Sequence, residues 1–167
     1  MKIPKILYIE NFLSDKECDD LISLYHNTPD TNNSDDTIWS GRGRWPVYPE
    51  NLHKKLTIDE LSTAEFFFNK KFSQDNLHLM RWDVGHEMRP HNDLGGHNEF
   101  AHRHYASIVY LNDNYVGGDL YIPKFDINIK PKKGLFVCFE GSKIEHGVSK
   151  IEEGTRFTSI CWFTEII

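Results

Sequence analysis

The second half of this sequence is divided into short apolar runs, each bounded by glycine, proline or charged turn residues. From Leu77 onward these runs predict eight strands, at residues 77–84, 88–93, 105–111, 119–122, 125–130, 134–139, 144–149 and 155–163. The turns between them include Gly117-Gly118 and Pro131-Lys132-Lys133-Gly134. Eight short strands with regular turn signals are typical of a jelly roll or double-stranded barrel, so this half of the chain favours a β fold.

The first half carries helix signals instead. A short apolar run at residues 6–9 predicts one strand, and the capping box Ser14-Asp15-Lys16-Glu17 then predicts a helix that ends near His26. A second capping box, Thr57-Ile58-Asp59-Glu60, predicts a helix that runs to about Phe72. These helices have apolar faces, so we expect them to pack against the outside of the β core.

Length and composition fit one domain over residues 1–167, with 39% hydrophobic and 13% aromatic residues. The fold prediction is mainly β with flanking helices: a double-stranded β-helix (jelly-roll) core at residues 77–167, with helical support from residues 1–76. A net charge of −6 disfavours a nucleic-acid surface. Three scattered cysteines indicate no disulfide framework, and no apolar stretch resembles a signal peptide or a membrane span. We therefore expect a cytoplasmic protein without a membrane partner; the sequence indicates no oligomeric state.

Four polar residues predict a metal site with a neighbouring anion site. His91 and Asp93 are two residues apart in a predicted strand, so both side chains can face one ion, and His146 lies in a separate strand-like run. Two histidines and one carboxylate are the ligand set of non-haem iron(II) oxygenases, and zinc sites use the same set. Arg156 adds a two-pronged partner for a carboxylate, which favours iron with 2-oxoglutarate over a zinc hydrolase; zinc remains an alternative occupant.

Several motifs in one order then resemble a known family. They are Arg89-Pro90-His91-Asn92-Asp93, Tyr110-Leu111-Asn112-Asp113, Gly117-Gly118-Asp119-Leu120-Tyr121-Ile122-Pro123, Glu145-His146-Gly147-Val148 and Thr155-Arg156-Phe157. From about Ile3 to Phe163 the chain resembles the prolyl 4-hydroxylase-type 2-oxoglutarate/iron(II)-dependent oxygenases. That family uses a double-stranded β-helix with helices packed outside, in agreement with the fold prediction.

The resemblance implies the cofactors and their ligands. Iron(II) is expected on His91, Asp93 and His146 as the catalytic centre, with 2-oxoglutarate and O₂ as cosubstrates and ascorbate as an accompanying reductant. Arg156 is expected to bind the distal carboxylate of 2-oxoglutarate, at a position where the family often has lysine. Trp82 stands where the family usually has a tyrosine that binds this cosubstrate, and an indole N–H donates with a different geometry.

The resemblance also implies substrate-binding residues. Arg103 lies where the family places a substrate-contacting arginine, and Trp162 lies where it places a substrate-side tryptophan. Met88 replaces a substrate-side tyrosine, and Leu120 stands where threonine is common. We expect the pocket of this chain to be more apolar than is usual for the family.

The functional prediction is a dioxygenase that hydroxylates prolyl residues in a peptide or protein and releases succinate and CO₂. Two alternatives stay open at this point. The first is hydroxylation of a free amino acid or another small metabolite. The second is a non-catalytic barrel that binds a ligand, although the complete ligand set disfavours it.

The polar segment at residues 29–51 and the remaining histidines complete the predictions. The segment contains Trp39 and Trp45, and it is expected either to act as a substrate lid or to pack on the domain. His86 is expected to be a turn residue. Three further histidines are expected at a solvated rim of the site; they are His97, His102 and His104.

Overall fold

Two antiparallel sheets form the framework of the chain in the computed structural model, which describes residues 3–29, 41–94 and 102–166. The strands of the larger sheet are β1 (Ile6–Ile9), β2 (Arg42–Arg44), β3 (Lys71–Gln74), β4 (His78–Trp82), β6 (Tyr105–Tyr110), β10 (Phe136–Phe139) and β13 (Arg156–Ile166). The strands of the smaller sheet are β5 (Met88–His91), β8 (Leu120–Ile122), β9 (Ile127–Ile129) and β11 (His146–Val148). A separate pair consists of β7 (Val116–Gly117) and β12 (Ile151–Glu153). The prediction of a mainly β fold with flanking helices is confirmed.

The strand β13 lies in the middle of the larger sheet. It pairs with β6 on one side and with β4 and then β3 on the other. Alternate side chains of a strand face opposite sides, so β13 contributes to two cores. Ile160 and Trp162 pack into the core between the two sheets, whereas Phe157, Cys161 and Phe163 pack into the core beneath the helices.

The first helix, α1 (Asp15–Asn27), begins at the capping box predicted from the sequence. The Glu17 amide donates to Ser14 Oγ, and the Ser14 amide donates to a Glu17 carboxylate oxygen at 2.7 Å. Both bonds satisfy amides that the first helical turn leaves without a partner. Cys18, Leu21 and Tyr25 are buried on the inner face of the helix, so α1 packs on the larger sheet.

The second predicted helix start is wrong. The helical segment begins seven residues earlier, at α2 (Glu50–Lys54), and continues through a π-helical turn (Lys55–Asp59) into α3 (Glu60–Phe68). Thr57 therefore lies inside the segment, and its hydroxyl donates to the carbonyl oxygen of His53 at 2.7 Å. The helix ends at Phe68 because Asn69 adopts a left-handed conformation with φ of 53°. Phe72, the predicted helix end, belongs to strand β3.

The division at residue 76 into helical support and barrel core is not reflected in the sheet pairing. Strands β1, β2 and β3 precede residue 76, yet all three belong to the larger sheet. Strands β2 and β3 were not predicted because each is short and mostly polar. Within the described residues, no helix has the length and apolar character needed to cross a bilayer.

The core beneath the helices contains a buried acid. Glu60, at the start of α3, is 1% exposed, and its Oε2 accepts a hydrogen bond from Ser107 Oγ at 2.9 Å. Ser107 lies on β6, so this bond joins the helix to the sheet. Burial raises the pKa of Glu60 from 4.5 to about 8, against a smaller opposing effect of the Ser107 hydrogen bond. The folded chain therefore retains this proton at a pH where the unfolded chain has lost it.

This raised pKa predicts a pH-dependent stability. Between about pH 4.5 and pH 8 the folded state binds one more proton at Glu60 than the unfolded state, so stability should fall as the pH rises. The slope should approach roughly 1.4 kcal/mol per pH unit. Glu60→Gln should remove this decline, because the amide keeps the acceptor for Ser107 without the titration.

Denaturant unfolding from pH 5 to pH 8 measures this difference directly. The exposed Glu153→Gln serves as the matched control and should follow the original chain. Parallel stability curves for the original chain and Glu60→Gln would show that Glu60 does not titrate as described.

Candidate active site

The two histidines predicted as metal ligands are cross-strand partners. Strand β5 pairs antiparallel with β11, and this register places His91 opposite His146 with ring centroids 4.5 Å apart. Asp93 lies two residues beyond the end of β5, in a turn, where its amide donates to the Gly141 carbonyl at 3.0 Å. The prediction that Asp93 lies on the strand is therefore wrong, although its carboxylate still reaches both rings. Asp93 Oδ1 lies 3.8 Å from His91 Nε2 and 3.7 Å from His146 Nε2.

Backbone carbonyls fix the protonation of both imidazoles. His91 Nδ1 lies 2.9 Å from the Arg89 carbonyl oxygen, and His146 Nδ1 lies 2.8 Å from the Ile144 carbonyl oxygen. A carbonyl only accepts, so each Nδ1 carries a proton and each Nε2 offers a lone pair. Burial lowers the pKa of His146, and the nearby Asp93 carboxylate opposes this effect. Both imidazoles thus direct their Nε2 atoms toward one carboxylate, an arrangement suited to a metal ion.

Asp93 provides the test of whether a cation fits. Its side chain is 7% exposed, and Oδ2 has no hydrogen-bond partner among the described residues. A buried carboxylate oxygen without a partner is costly, and a divalent cation would remove that cost. The ligand atoms of His91, Asp93 and His146 all lie within 4.8 Å of one another. The donor set fits iron(II), and it also fits zinc.

Gly141 makes room for the Asp93 carboxylate. This residue follows β10, and a Cβ atom at its position would overlap Asp93 Oδ2. The same Cβ would lie 3.4 Å from the Cβ of Ala106 on β6. A glycine is required here by close approach, and the position links the metal site to the larger sheet.

A second polar cluster surrounds Arg156 at the start of β13. Arg156 is 2% exposed, and its guanidinium carbon lies 5.4 Å from the Trp82 ring centroid and 5.2 Å from that of Tyr110. Among the described residues no carboxylate forms an ion pair with Arg156, and its Nε has no hydrogen-bond partner. A buried guanidinium of this kind fits an anionic ligand such as a carboxylate.

Three hydroxyl groups near Arg156 were not predicted as site residues. The hydroxyls of Tyr110 and Tyr115 are buried and interact with Arg156, and the buried hydroxyl of Thr158 has no hydrogen-bond partner among the described residues. Burial raises the pKa of both tyrosines, while the charge of Arg156 acts in the opposite direction. Thr158 shares the face of Arg156 by the period of two, which the sequence alone could have indicated. Tyr110 is the cross-strand partner of Thr158, and that pairing is visible only in the fold.

The metal-ligand cluster and the Arg156 cluster share the space between the sheets. The Phe139 ring contacts the His146 ring with centroids 4.6 Å apart. Phe139 belongs to the same apolar core as Tyr110, Leu120 and Ile122. A ligand bound at Arg156 would therefore lie in the same inter-sheet core as His146.

The predicted cosubstrate residue Trp82 is the cross-strand partner of Arg156 and is 5% exposed. Gly41 packs against it, since a Cβ there would come within 2.5 Å of Trp82 Nε1. His86 lies beside this region, just after the predicted turn, where its Nδ1 accepts from the Asp83 amide at 3.1 Å. The absence of a side chain at Gly41 thus leaves room for the Trp82 indole.

The predicted substrate residues are divided between the two sheets. Arg103 precedes β6 and lies over the Trp162 ring, with its guanidinium carbon 3.8 Å from the ring centroid. Its Nε also lies 3.5 Å from Asp75 Oδ2. Met88 lies at the start of β5 opposite Val148, on the other sheet. The structure thus brings Arg103 and Trp162 together and keeps Met88 on the opposite sheet.

The rim histidines have specific partners. His102 is half exposed and lies 3.5 Å from Asp75 Oδ2, whereas His104 Nδ1 accepts from the Glu165 amide at 3.0 Å. His104 therefore fixes the chain to β13, so its prediction as a solvated rim residue is wrong. His97 lies outside the described residues.

The predicted lid is only partly described. Residues 30–40, including Trp39, lie outside the described part of the chain. The following residues contain β2, which pairs with β4, and Arg44 donates to the Tyr25 carbonyl at 2.7 Å. The segment after residue 40 is thus attached to the sheet and to α1.

Comparison with known proteins identifies the family. The sequence profile of the 2OG-Fe(II) oxygenase superfamily matches residues 77–164, more than half of the chain. The chain belongs to the 2OG-Fe(II) oxygenase superfamily. The family membership confirms the resemblance seen in the sequence and the expected iron(II) and 2-oxoglutarate. The assignment of individual residues to these ligands remains a prediction.

Relatives and solved structures refine the comparison within this superfamily. The chain is 32% identical over 71 residues to human prolyl 3-hydroxylase 2, which covers 39% of this chain and only 10% of the relative. A viral collagen prolyl hydroxylase from Paramecium Bursaria Chlorella virus-1, solved with 2OG, has a TM-score of 0.75 at 20% identity and covers 96% of both chains. A prolyl hydroxylase from Trichoplax adhaerens, solved with a hypoxia inducible factor peptide, has a TM-score of 0.73 at 19% identity, covering 96% of this chain and 83% of its own. These likenesses confirm the jelly-roll fold.

The close packing at Gly141 yields a prediction about metal affinity. Gly141→Ala should displace the Asp93 carboxylate, because the new methyl group overlaps Oδ2. Overpacking typically costs about 1–3 kcal/mol, so iron(II) or a substitute such as cobalt(II) should bind roughly tenfold more weakly or worse.

Titration of the purified chain with cobalt(II), followed by absorption and by calorimetry, checks this prediction. Ser142→Ala, one residue along the same turn, is the matched control and should bind as the original chain does. Equal cobalt affinity in Gly141→Ala would show that the Asp93 carboxylate does not hold the metal in this geometry.

Proposed function

We propose that this chain is an iron(II)- and 2-oxoglutarate-dependent dioxygenase that hydroxylates prolyl residues in a peptide or protein. One observation carries the proposal. Two histidines and a buried Asp93 oxygen without a partner among the described residues lie in the same inter-sheet space as a buried arginine without a carboxylate partner. A divalent cation satisfies the first group, and the far carboxylate of 2-oxoglutarate satisfies the second.

The residues divide the work between metal and cosubstrate. Bound iron(II) would supply the oxidative decarboxylation of 2-oxoglutarate, in which one atom of O₂ enters succinate and the other enters the substrate hydroxyl group. His91, Asp93 and His146 would hold the metal as its protein ligands. Arg156 fixes the cosubstrate, with the Tyr110 hydroxyl as a second donor to the carboxylate. The apolar walls between the sheets exclude water.

A prolyl substrate is supported by the relatives and by the mouth of the barrel. The named relatives are prolyl hydroxylases, and one of them was solved with a peptide. In this chain the Trp162 ring is covered by Arg103, which is held by Asp75. An indole fits a pyrrolidine ring, and a guanidinium edge fits a peptide carbonyl oxygen.

Free amino acids are the second candidate substrate class. Leu120 and Met88 make the pocket more apolar, and an apolar pocket does not by itself require a peptide substrate. Product analysis separates the two candidates. We would reconstitute the chain with iron(II), 2-oxoglutarate and ascorbate and then supply O₂ with proline-containing peptides or free amino acids. Mass spectrometry should detect a +16 Da peptide, and fragmentation with authentic standards gives the hydroxylated carbon.

The metal assignment is tested in the same assay. Asp93→Ala should fold and yet lose at least about 100-fold of its succinate formation under limiting iron, because one of three protein ligands is removed. His102→Ala, at the half-exposed rim, is the control and should retain turnover. Efficient hydroxylation of a free amino acid with no peptide product would transfer the proposal to small metabolites. Near-normal turnover of Asp93→Ala would contradict the metal site.

Arg156 provides a separate prediction for the cosubstrate. A hydrogen bond to a charged group contributes about 1.5–3 kcal/mol, so Arg156→Gln should weaken 2-oxoglutarate binding roughly ten- to a hundredfold. Arg156→Lys should lose less, since it keeps the charge without the planar fork. The apparent KM for 2-oxoglutarate measures both effects. Arg81→Gln, on the neighbouring strand but paired with Asp83, is the control. An unchanged KM in Arg156→Gln would place the cosubstrate elsewhere.

A further inference from the structure

A row of aromatic rings crosses three neighbouring strands of the larger sheet. The rings of Trp45 and His78 meet edge to face with centroids 4.7 Å apart, and those of His78 and Trp162 do so at 5.4 Å. Trp45 follows β2, His78 begins β4 and Trp162 lies on β13, so three neighbouring strands of the sheet supply the row. The aromatic row, as defined by these three residues, is a feature that the proposed metal and cosubstrate sites do not use.

One end of the aromatic row lies beside the predicted metal site. Trp162 is the cross-strand partner of Ala106, and the Gly141 position lies between the Ala106 methyl group and Asp93 Oδ2. The other end is Trp45, which is 44% exposed. The row is therefore connected to a predicted iron ligand through Ala106 and Gly141 at one end, and its other end is exposed to solvent.

The aromatic row offers an uncharged surface at neutral pH. Burial, followed by the charge of Arg103, lowers the pKa of His78 to about 4, although Asp75 acts in the opposite direction. The imidazole is therefore neutral near pH 7. The Arg103 charge is balanced by Asp75 at 3.5 Å, and the guanidinium lies flat over Trp162. Such a surface suits apolar rings more than charged side chains.

The length of the aromatic row matches a repeat of an extended peptide. The two ring-to-ring steps of 4.7 Å and 5.4 Å place the Trp45 and Trp162 rings no more than about 10 Å apart. A polyproline II helix has three residues per turn and rises about 3.1 Å per residue, so positions i and i+3 share a face about 9 Å apart. One turn of such a helix thus spans the row from end to end.

We propose that the aromatic row binds a polyproline II segment with two prolines three residues apart, the inner one at Trp162 beside the metal and the outer one at Trp45. The proposal rests on the proposed function and narrows its substrate to peptides of the form Pro-x-x-Pro. A free amino acid reaches only the Trp162 end. The outer proline adds affinity without taking part in the chemistry.

A double-mutant cycle between chain and peptide tests this proposal. The two peptides carry Pro-x-x-Pro or a version whose outer proline is alanine, and the two chains carry Trp45 or Trp45→Ala. In the original chain, loss of the outer proline should raise the peptide KM roughly three- to tenfold, the range of an aromatic contact. In Trp45→Ala both peptides should have the same, higher KM, because the contact is already lost.

Two further variants test whether the effect depends on the aromatic ring at position 45. Trp45→Phe keeps a ring and should retain part of the preference for the outer proline. Val47→Ala is the control, since Val47 is 93% exposed two residues away and lies outside the row. If the original chain hydroxylates both peptides with equal KM, or if the preference persists in Trp45→Ala, the aromatic row does not bind the outer proline while the proposed function stands. If no peptide is hydroxylated and a free amino acid is, the peptide substrate and this proposal both fail.

Discussion

The antiparallel pairing of β5 with β11 is the interaction on which the site depends. It places His91 directly opposite His146, although the two residues are 55 positions apart in the sequence. Each ring is then oriented by a carbonyl only two residues earlier in the chain. Long-range pairing thus sets the distance between the rings, and local backbone sets their tautomers. Asp93 completes the set from a turn held by Gly141.

The larger sheet carries Arg156 and Trp162, the predicted cosubstrate and substrate residues of the site. Its central strand β13 has Arg156 and Trp162 on the face toward the smaller sheet, and residues of the helix-facing core on the other face. The Glu60–Ser107 bond fixes α3 to the adjacent strand β6 from behind. The helices therefore act on the site indirectly, because they stabilise the sheet that carries the predicted cosubstrate and substrate residues.

Much of this arrangement could be predicted from the sequence, and the remainder depends on pairing. The period of two and the turn residues indicated eight of the ten strands described after residue 76, without the short strands β7 and β12, and residue chemistry indicated the candidate metal ligands and Arg156. Tyr110 was missed because only cross-strand pairing brings it to Arg156, and Tyr115 was missed because the folded connection between β6 and β7 brings it there. The capping box at Thr57 was misleading because the preceding residues already form a helix. Burial of Leu52 and Leu56 in the core stabilises this earlier helical start. The packing of Trp45 could not be predicted from the sequence, because its partner His78 lies on a strand more than 30 residues later.

The eleven-residue strand β13 also sets the spacing between Arg156 and Trp162 and the face on which each side chain lies. A single-residue insertion between Arg156 and Trp162 would turn one of them to the opposite face of the sheet and separate the two ends of the cavity. An insertion of two residues would restore the face but move Trp162 by about 6.6 Å, more than the spacing between neighbouring rings in the mouth. A length change within this strand would therefore alter the position of Trp162 relative to Arg156, whereas a side-chain replacement would leave that relation intact.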